Sequence, residues 1–295
     1  GDDSNDVVGT LNIPLVEDKL ALRASAYRYD NGGYVDNRPS KDPAILVIAE
    51  DFNSTHLLVD EDDVGGSEYE GAKISLLWQA TEDLSLMLGH ITQGLEQFGT
   101  TDINLVLDNY EQSRIHLSEL TDGEGLTEDS DITNLVVEYS RGWGTIVSST
   151  AYSETTGERR IDITNWLTSY PSSEVNFKSH KVTTEELRFS SSFDGNIQVV
   201  AGVYYADRES TWANIIAQEG DLSNMVLPSV SPDNPAIIFE FDQLVAIEEL
   251  SYFSELSYDI IPDLLNLTLG GRLYDYDAKN IESHSYQSQL NLDFG

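Results

Sequence analysis

Residues 20–27 read LALRASAY. Every second residue from Leu20 is Leu or Ala, and the residues between them are Ala21, Arg23, Ser25 and Tyr27. A period of two places Leu20, Leu22, Ala24 and Ala26 on one face of a β-strand and the polar residues on the other. The same alternation returns in residues 84–89, 197–204 and 265–274, where aliphatic residues oppose polar residues, Met, Gly or Tyr. These segments predict β-strands that each have one apolar face.

Short polar connections precede these strands and indicate hairpin turns. The five predicted turns are Val16–Lys19, Ala80–Asp83, Arg141–Trp143, Asp194–Asn196 and Ile260–Asp263. Between consecutive turns lie four connections of roughly 20 to 40 residues that are rich in Asp, Glu, Ser, Asn, Gly and Pro. The sequence therefore predicts five hairpins, or ten strands, with short turns at one end and long structureless loops at the other.

This alternation of short and long connections favours a membrane barrel over a soluble fold. Compact soluble domains rarely contain several structureless loops longer than about 15 residues, whereas outer-membrane barrels combine short periplasmic turns with long external loops. No segment reaches the roughly 18 consecutive apolar residues that a membrane-spanning helix needs. We expect an all-β, antiparallel transmembrane β-barrel; the alternative is a soluble β-sandwich, solenoid or surface binding module, which would leave the aliphatic faces uncovered.

The charge balance limits the classes of partner. The chain contains 16 Lys and Arg against 52 Asp and Glu, a net charge of −36, so it would repel a nucleic-acid backbone. Long stretches without Lys or Arg, at 115–140 and 209–271, predict a negative vestibule that disfavours polyanionic ligands. Divalent ions that bridge to lipopolysaccharide, or a high-salt habitat, would explain the same acidity without any ligand.

Three segments resemble the barrel of TonB-dependent receptors, and their order and spacing carry the resemblance across nearly the whole chain. They are GTLNIPLVEDKLALRASAY (9–27) followed by DNGGYVDN (30–37), EELRFSS (185–191) leading into VAGVYY (200–205), and SYFSELSY (251–258) leading into LTLGGRLYDY (267–276). In that family the first segment forms a strand, the first periplasmic turn and the next strand.

The resemblance implies part of a 22-stranded barrel that encloses an N-terminal plug. Because no plug, TonB box or terminal aromatic strand is present, residues 1–295 are expected to be a partial barrel domain, about the second through eleventh strands. Within the membrane the backbone groups of its two outer strands must be paired, either with the absent strands or with each other if these ten strands close into a barrel.

The resemblance also implies a function for the complete protein. It would lie in the outer membrane of a Gram-negative bacterium, in contact with lipid and lipopolysaccharide. It would import a scarce nutrient such as a ferric siderophore, a cobalamin or an oligosaccharide, using energy relayed by the TonB complex through the absent N-terminal region. The alternative is a self-contained passive porin or structural barrel.

Catalytic and metal-binding patterns are absent from the sequence. The five His residues lie far apart, there is no Cys, and the acidic run 60–63 departs from a calcium loop at Val64 and Gly71. Adjacent acids such as Glu185 and Glu186 point to opposite faces of a strand and cannot flank one bond. We therefore expect no enzyme activity, cofactor or metal, and among the aromatic residues we expect Tyr34 and Trp212, predicted to lie in loops, to contact a ligand.

Overall fold

A computed structural model of the chain describes residues 1–104, 107, 111–115, 123–164, 170–218, 229–231, 233, 236–262 and 264–286. Its regular elements are strands, one α-helix and two short 3-10 helices at Pro39–Lys41 and Thr55–Leu57. The α-helix α1 spans Pro43–Asp51. The strands are β1 (Asn5–Val16), β2 (Leu20–Asn31), β3 (Val35–Asn37), β4 (Glu61–Val64), β5 (Ser67–Gln79), β6 (Leu84–Phe98), β7 (Gly125–Arg141), β8 (Gly144–Asp162), β9 (Ser172–Ser191), β10 (Ile197–Gln218), β11 (Ile237–Ile261) and β12 (Leu265–Tyr286).

Ten of these strands form one antiparallel sheet in the order β1-β2-β5-β6-β7-β8-β9-β10-β11-β12. Neighbouring strands in the sheet are also consecutive along the chain, with one exception. β3 and β4, which lie between β2 and β5 in the sequence, form a separate two-stranded sheet. The prediction of ten up-and-down antiparallel strands is confirmed. The sheet is open, because its outer strands β1 and β12 do not pair with each other.

The strand register brings the apolar residues of successive strands onto one face. One row crosses four strands and consists of Leu22, Leu76, Leu88 and Leu135. The row one residue away, on the opposite face, consists of Arg23, Ser75, Gly89 and Asn134. The alternation read from single strands thus extends across the sheet, which has an apolar face and a polar face.

All five predicted turns connect paired strands at one end of the sheet, hereafter the turn end. In the first, the Lys19 amide donates to the Val16 carbonyl at 3.1 Å, and Asp18 has the left-handed backbone conformation that tight turns require (φ 56°). Asp263, in the fifth predicted turn, lies outside the described residues.

The prediction of four long structureless loops is wrong in two places. The connection between β8 and β9 covers only residues 163–171, because these strands are 19 and 20 residues long. The first long connection is folded and contains β3, α1 and β4. About 10 residues of a strand are enough to cross a bilayer. The part of a strand outside the bilayer has no apolar face, so the sequence pattern does not show how far that strand extends.

The folded loops form a small cap at the end of the sheet opposite the turns. This loop cap comprises residues 35–64, 99–104 and 111–115, and it is centred on the buried side chains of Ile45, Leu57 and Ile115. Asp42 caps α1 by accepting a hydrogen bond from the Ala44 amide at 2.9 Å. Helix α1 has nine residues, and no helix in the described part of the chain is long and apolar enough to cross a membrane.

Candidate functional site

The polar face of the sheet carries a cluster of charged and aromatic side chains on β10, β11 and β12, here the Glu249 cluster. The Glu249 carboxylate accepts from Arg208 at 3.4 Å and from Arg272 at 2.6 Å. Arg208 also donates to the Tyr204 hydroxyl at 3.3 Å, and the Arg272 guanidinium lies 5.4 Å from the centre of the Tyr204 ring. These contacts hold the four side chains in place, and the single Glu249 carboxylate pairs with both guanidinium groups.

Farther from the turn end, three rings form a row across the same face. Trp212 on β10 and Phe241 on β11 are edge to face with ring centres 5.0 Å apart, and Phe241 and His284 on β12 are 4.9 Å apart. Phe241 is eight residues from Glu249 along β11, and an even separation within a strand keeps both side chains on one face. This ring row, Trp212, Phe241 and His284, therefore lies on the polar face.

Amide and carboxylate groups surround the ring row. The Trp212 indole donates to the Asn176 side-chain oxygen at 3.0 Å, and that oxygen also accepts from the Asn214 amide at 2.9 Å. On the other side, the Glu282 carboxylate accepts from Gln243 at 2.9 Å and from Asn280 at 2.7 Å. These two hydrogen bonds hold the Glu282 carboxylate in place beside the ring row.

The two predicted ligand residues occupy different parts of the structure. Trp212 is not in a loop: it is the sixteenth residue of β10, so that part of the prediction is wrong. The reason is that β10 continues without turn residues well past the length that crosses a bilayer. Tyr34 does lie between strands, with 69% of its side chain exposed, but five strands separate β2 from β10 in the sheet. The structure does not bring Tyr34 and Trp212 together.

A buried pair of acids joins the loop cap to the sheet. Asp162, the last residue of β8, accepts hydrogen bonds from the backbone amides of Ile115 and of Thr164, the latter at 2.8 Å. Its own amide donates to the Glu124 carboxylate at 2.6 Å, and Arg114 donates to its carbonyl oxygen. Glu124 and Asp162, hereafter the acid pair, are both buried.

Burial changes the proton affinity of the acid pair. Desolvation, with the nearby charge of Asp162, raises the pKa of Glu124 to about 7. Desolvation also raises the pKa of Asp162 to about 6, against the lowering effect of its hydrogen bonds with Thr164 and Ile115. Glu124 directly precedes β7 and Asp162 is the last residue of β8, both at the end of the sheet opposite the turns, so they are in contact with the aqueous loops rather than with lipid.

The acidic run 60–63 is part of the loop cap. Asp62 pairs with Arg38, and Asp60 accepts from the Ser40 hydroxyl at 2.5 Å. Across the described ranges, no three His, Asp or Glu side chains are grouped closely enough to hold a metal ion.

Several solved structures share this arrangement of strands. The ferric yersiniabactin uptake receptor FyuA from Yersinia pestis matches 96% of the chain at 14% identity with a TM-score of 0.67. The siderophore receptor PiuA from Acinetobacter baumannii (94% of the chain, 9% identity) and the ferric citrate transporter FecA (95%, 11% identity) each match with a TM-score of 0.55. No protein-family model matches the sequence, and no curated protein does.

The chain has the fold of a siderophore-receptor barrel. The predicted resemblance to the barrel of TonB-dependent receptors is thus confirmed at the level of the fold, which is that of a transmembrane barrel of the Gram-negative outer membrane. The chain spans 39% to 44% of the length of these three structures. The match to a receptor-barrel fold identifies the apolar face of the sheet as the outer, lipid-facing one and the polar face as the inner one.

Sequence reasoning missed the partners of Trp212 in this receptor-barrel wall. Phe241 and His284 are directly paired across the β11–β12 hairpin. Phe241 lies 19 residues before the predicted turn at Ile260–Asp263 and His284 lies 21 residues after it, so equal spacing from that turn would pair Phe241 with Glu282. The actual pairing of Ile261 with Leu265 and the register shift next to it make His284 the partner, so the predicted turn indicated the neighbourhood of Phe241 but not its partner. Asn176 and Asn214 carried no such signal, because amides are common throughout the sequence and their pairing depends on the length of β9 and β10.

Proposed function

We propose that the chain is part of the barrel of an outer-membrane receptor that takes up a small nutrient. The observation that carries the proposal is the register of the sheet, which separates a face with an apolar row across β2, β5, β6 and β7 from a polar face bearing the Glu249 cluster and the ring row. A wall of this kind faces lipid on one side and a polar interior on the other. The likeness to uptake receptors supports the same function.

The open edges of the sheet support a barrel completed by further strands. An unpaired strand edge in lipid costs several kcal/mol for each unsatisfied backbone group, and β1 and β12 each pair on one side only. We therefore propose that residues 1–295 are a partial barrel domain of a longer receptor, which contacts outer-membrane lipid and lipopolysaccharide. Energy would reach the receptor from the TonB complex through a region outside these residues.

A passive ten-stranded porin is the weaker alternative. It would require β1 to pair with β12, whereas the sheet is open, and the matched structures are receptors and a transporter. The nutrient proposed here is a small molecule of the siderophore, cobalamin or oligosaccharide kind. Tyr34 and Trp212 remain proposed ligand contacts, Tyr34 through an exposed loop and Trp212 through the inner wall.

Growth tests distinguish active uptake from passive diffusion. A strain that lacks the complete gene is expected to grow poorly when its nutrient is supplied as ferric siderophore, cobalamin or oligosaccharide, whichever the receptor imports. A strain that retains the gene but lacks TonB is expected to show the same defect. Full growth without TonB would contradict the proposed receptor and favour the porin.

Arginine substitutions on the two faces test the membrane orientation of the wall. Leu187 lies on the apolar face with 54% of its side chain exposed, and Ser149 lies on the polar face in register with Glu186. In the complete protein, Leu187→Arg is expected to destabilise the barrel by about 2–4 kcal/mol, because a charge would face lipid. The measurement is the fraction of assembled, heat-modifiable protein in outer membranes.

Ser149→Arg is the matched control, because its new charge would face the polar interior beside Glu186. This variant is expected to assemble like the unmodified protein. If both variants assembled equally well, the proposed lipid-facing surface would be wrong.

A further inference from the structure

The ring row has the form of a binding surface rather than of a packed core. Trp212 is 43% exposed on the inner face, although it is fixed by its hydrogen bond to Asn176 and its contact with Phe241. His284, at the other end of the row, is exposed as well. A rigid aromatic surface that stays accessible is suited to stacking against the apolar side of a ligand.

A buried acceptor beside the rings lacks a donor. The Asn214 side chain is only 6% exposed, and its nitrogen donates to Glu174 and Asn176. Its side-chain oxygen has no hydrogen-bond partner in the described part of the chain. A buried polar atom without a partner is unfavourable, so the Asn214 amide, whose oxygen is not accessible where it lies, would gain by turning outward to a hydroxyl or N–H group of a ligand.

The charges around the ring row disfavour an anion. Lys178, in register with Trp212, is paired with Glu128, and Arg159 lies one strand farther away on β8. Against these two cations stand three carboxylates on the same face, those of Glu128, Glu174 and Glu282. An anionic ligand would meet net repulsion here, whereas hydroxyl groups would find carboxylate and amide oxygens as acceptors.

We propose that the ring row and its flanking Asn214, Asn176 and Glu282 bind a neutral, polyhydroxylated ligand of the sugar class. The apolar C–H side of a sugar ring stacks on the Trp212 and Phe241 rings, while its hydroxyl groups donate to Glu282 and, once the Asn214 amide turns toward the inner face, to the Asn214 oxygen. This inference rests on the proposed uptake function and assigns its substrate class. It differs from the iron chelates after which two of the matched proteins are named, ferric yersiniabactin and ferric citrate.

Binding to the purified complete receptor in detergent tests the assignment. The probes are a panel of neutral gluco-, xylo- and galacto-oligosaccharides, with ferric citrate as an anionic comparison, and the readout is isothermal calorimetry. At least one oligosaccharide is expected to bind, and Trp212→Ala is expected to weaken it by about tenfold or more, as truncation of a central aromatic contact does. Trp212→Phe should restore much of the affinity.

Trp143→Ala is the matched control, because Trp143 is 44% exposed but lies in the turn between β7 and β8, at the opposite end of the strands. It should leave oligosaccharide affinity unchanged. Phe241→Ala provides a second test if Trp212→Ala fails to assemble, and it should weaken binding in the same direction.

The outcomes separate this inference from the proposed function. Binding of ferric citrate alone, unaffected by Trp212→Ala, would overturn the sugar site and leave the uptake receptor intact. Failure of every oligosaccharide to bind a receptor whose growth phenotype still requires TonB would overturn it too. Equal assembly of Leu187→Arg and Ser149→Arg would instead contradict the proposed function itself.

Discussion

Replacement of Asp162 with alanine is expected to release the loop cap from the sheet. The Asp162 carboxylate accepts from the buried amide of Ile115, within the cap, and from that of Thr164. Alanine would leave both buried amides without an acceptor, and each buried donor left unsatisfied costs about 1–3 kcal/mol. We expect the free energy of opening the cap to fall by about 3 kcal/mol or more, which is roughly a hundredfold rise in its open population.

Hydrogen exchange of the complete protein at about pH 5 measures this change, because at that pH, below the raised pKa of Asp162, alanine removes the acceptor without also removing the cost of a buried charge. Amides of residues 35–64 and 111–115 should exchange roughly a hundredfold faster in Asp162→Ala, while amides at the turn end of β8 and β9 should be unchanged. Asp102→Ala is the control, because Asp102 pairs with Arg114 at 3.1 Å but is largely exposed. An exposed pair contributes about 1 kcal/mol or less. If the two variants exchanged alike, Asp162 would not hold the cap.

The strand order and the turns were predictable because both depend on local sequence. The alternation in residues 20–27 fixes a strand with two unlike faces, and the brief connection Val16–Lys19 is too short for anything but a hairpin. Repeating this unit five times leaves little choice of topology. The lengths of β8 and β9 were not predictable, because above the bilayer a strand has water on both faces and loses its apolar period.

The loop cap was beyond sequence reasoning for a different reason. Ile45 lies in the apolar run 44–49, Leu57 in the apolar run 57–59, and Ile115 between Arg114 and His116, in three separate segments. Only the folded chain shows that they share one core. Similarly, Glu124 and Asp162 are two of 52 acidic residues, and nothing in the local sequence distinguishes a buried carboxyl from a solvated one.

The candidate site, like the fold, could be predicted from the sequence only in part. The residue type of Trp212 was enough to predict a ligand contact, and that remains a prediction, but its position in β10 and its neighbours could not be predicted. The Glu249 cluster and the ring row both require the register of three strands, which places Arg208, Glu249 and Arg272 within hydrogen-bonding distance. The charge composition predicted a negative vestibule, but it did not show that Arg208 and Arg272 pair with Glu249 on the inner wall.

The acid pair predicts that the loop cap loosens as the pH rises. Glu124, with its pKa raised to about 7, and Asp162, with its pKa raised to about 6, both bind protons more tightly in the folded cap than in an open one. The cap is therefore most stable below about pH 4, where both states are protonated, and its stability falls through the interval up to about pH 7. For Glu124 the loss is about 3 kcal/mol, since each pKa unit corresponds to about 1.4 kcal/mol.

The Glu124→Gln variant should remove about half of this pH dependence, because burial still raises the pKa of Asp162. Glutamine keeps an oxygen that can accept from the Asp162 amide, as the carboxylate does at 2.6 Å, but it carries no charge to bury. Above pH 7 the variant cap should exchange hydrogen more slowly than the unmodified one, after correction for the intrinsic effect of pH on exchange. Glu50→Gln, on the exposed side of α1, should leave the profile unchanged. If the loop-cap amides exchanged more slowly as the pH rose, or if Glu124→Gln did not change their exchange, the acid pair would not control the opening of the cap.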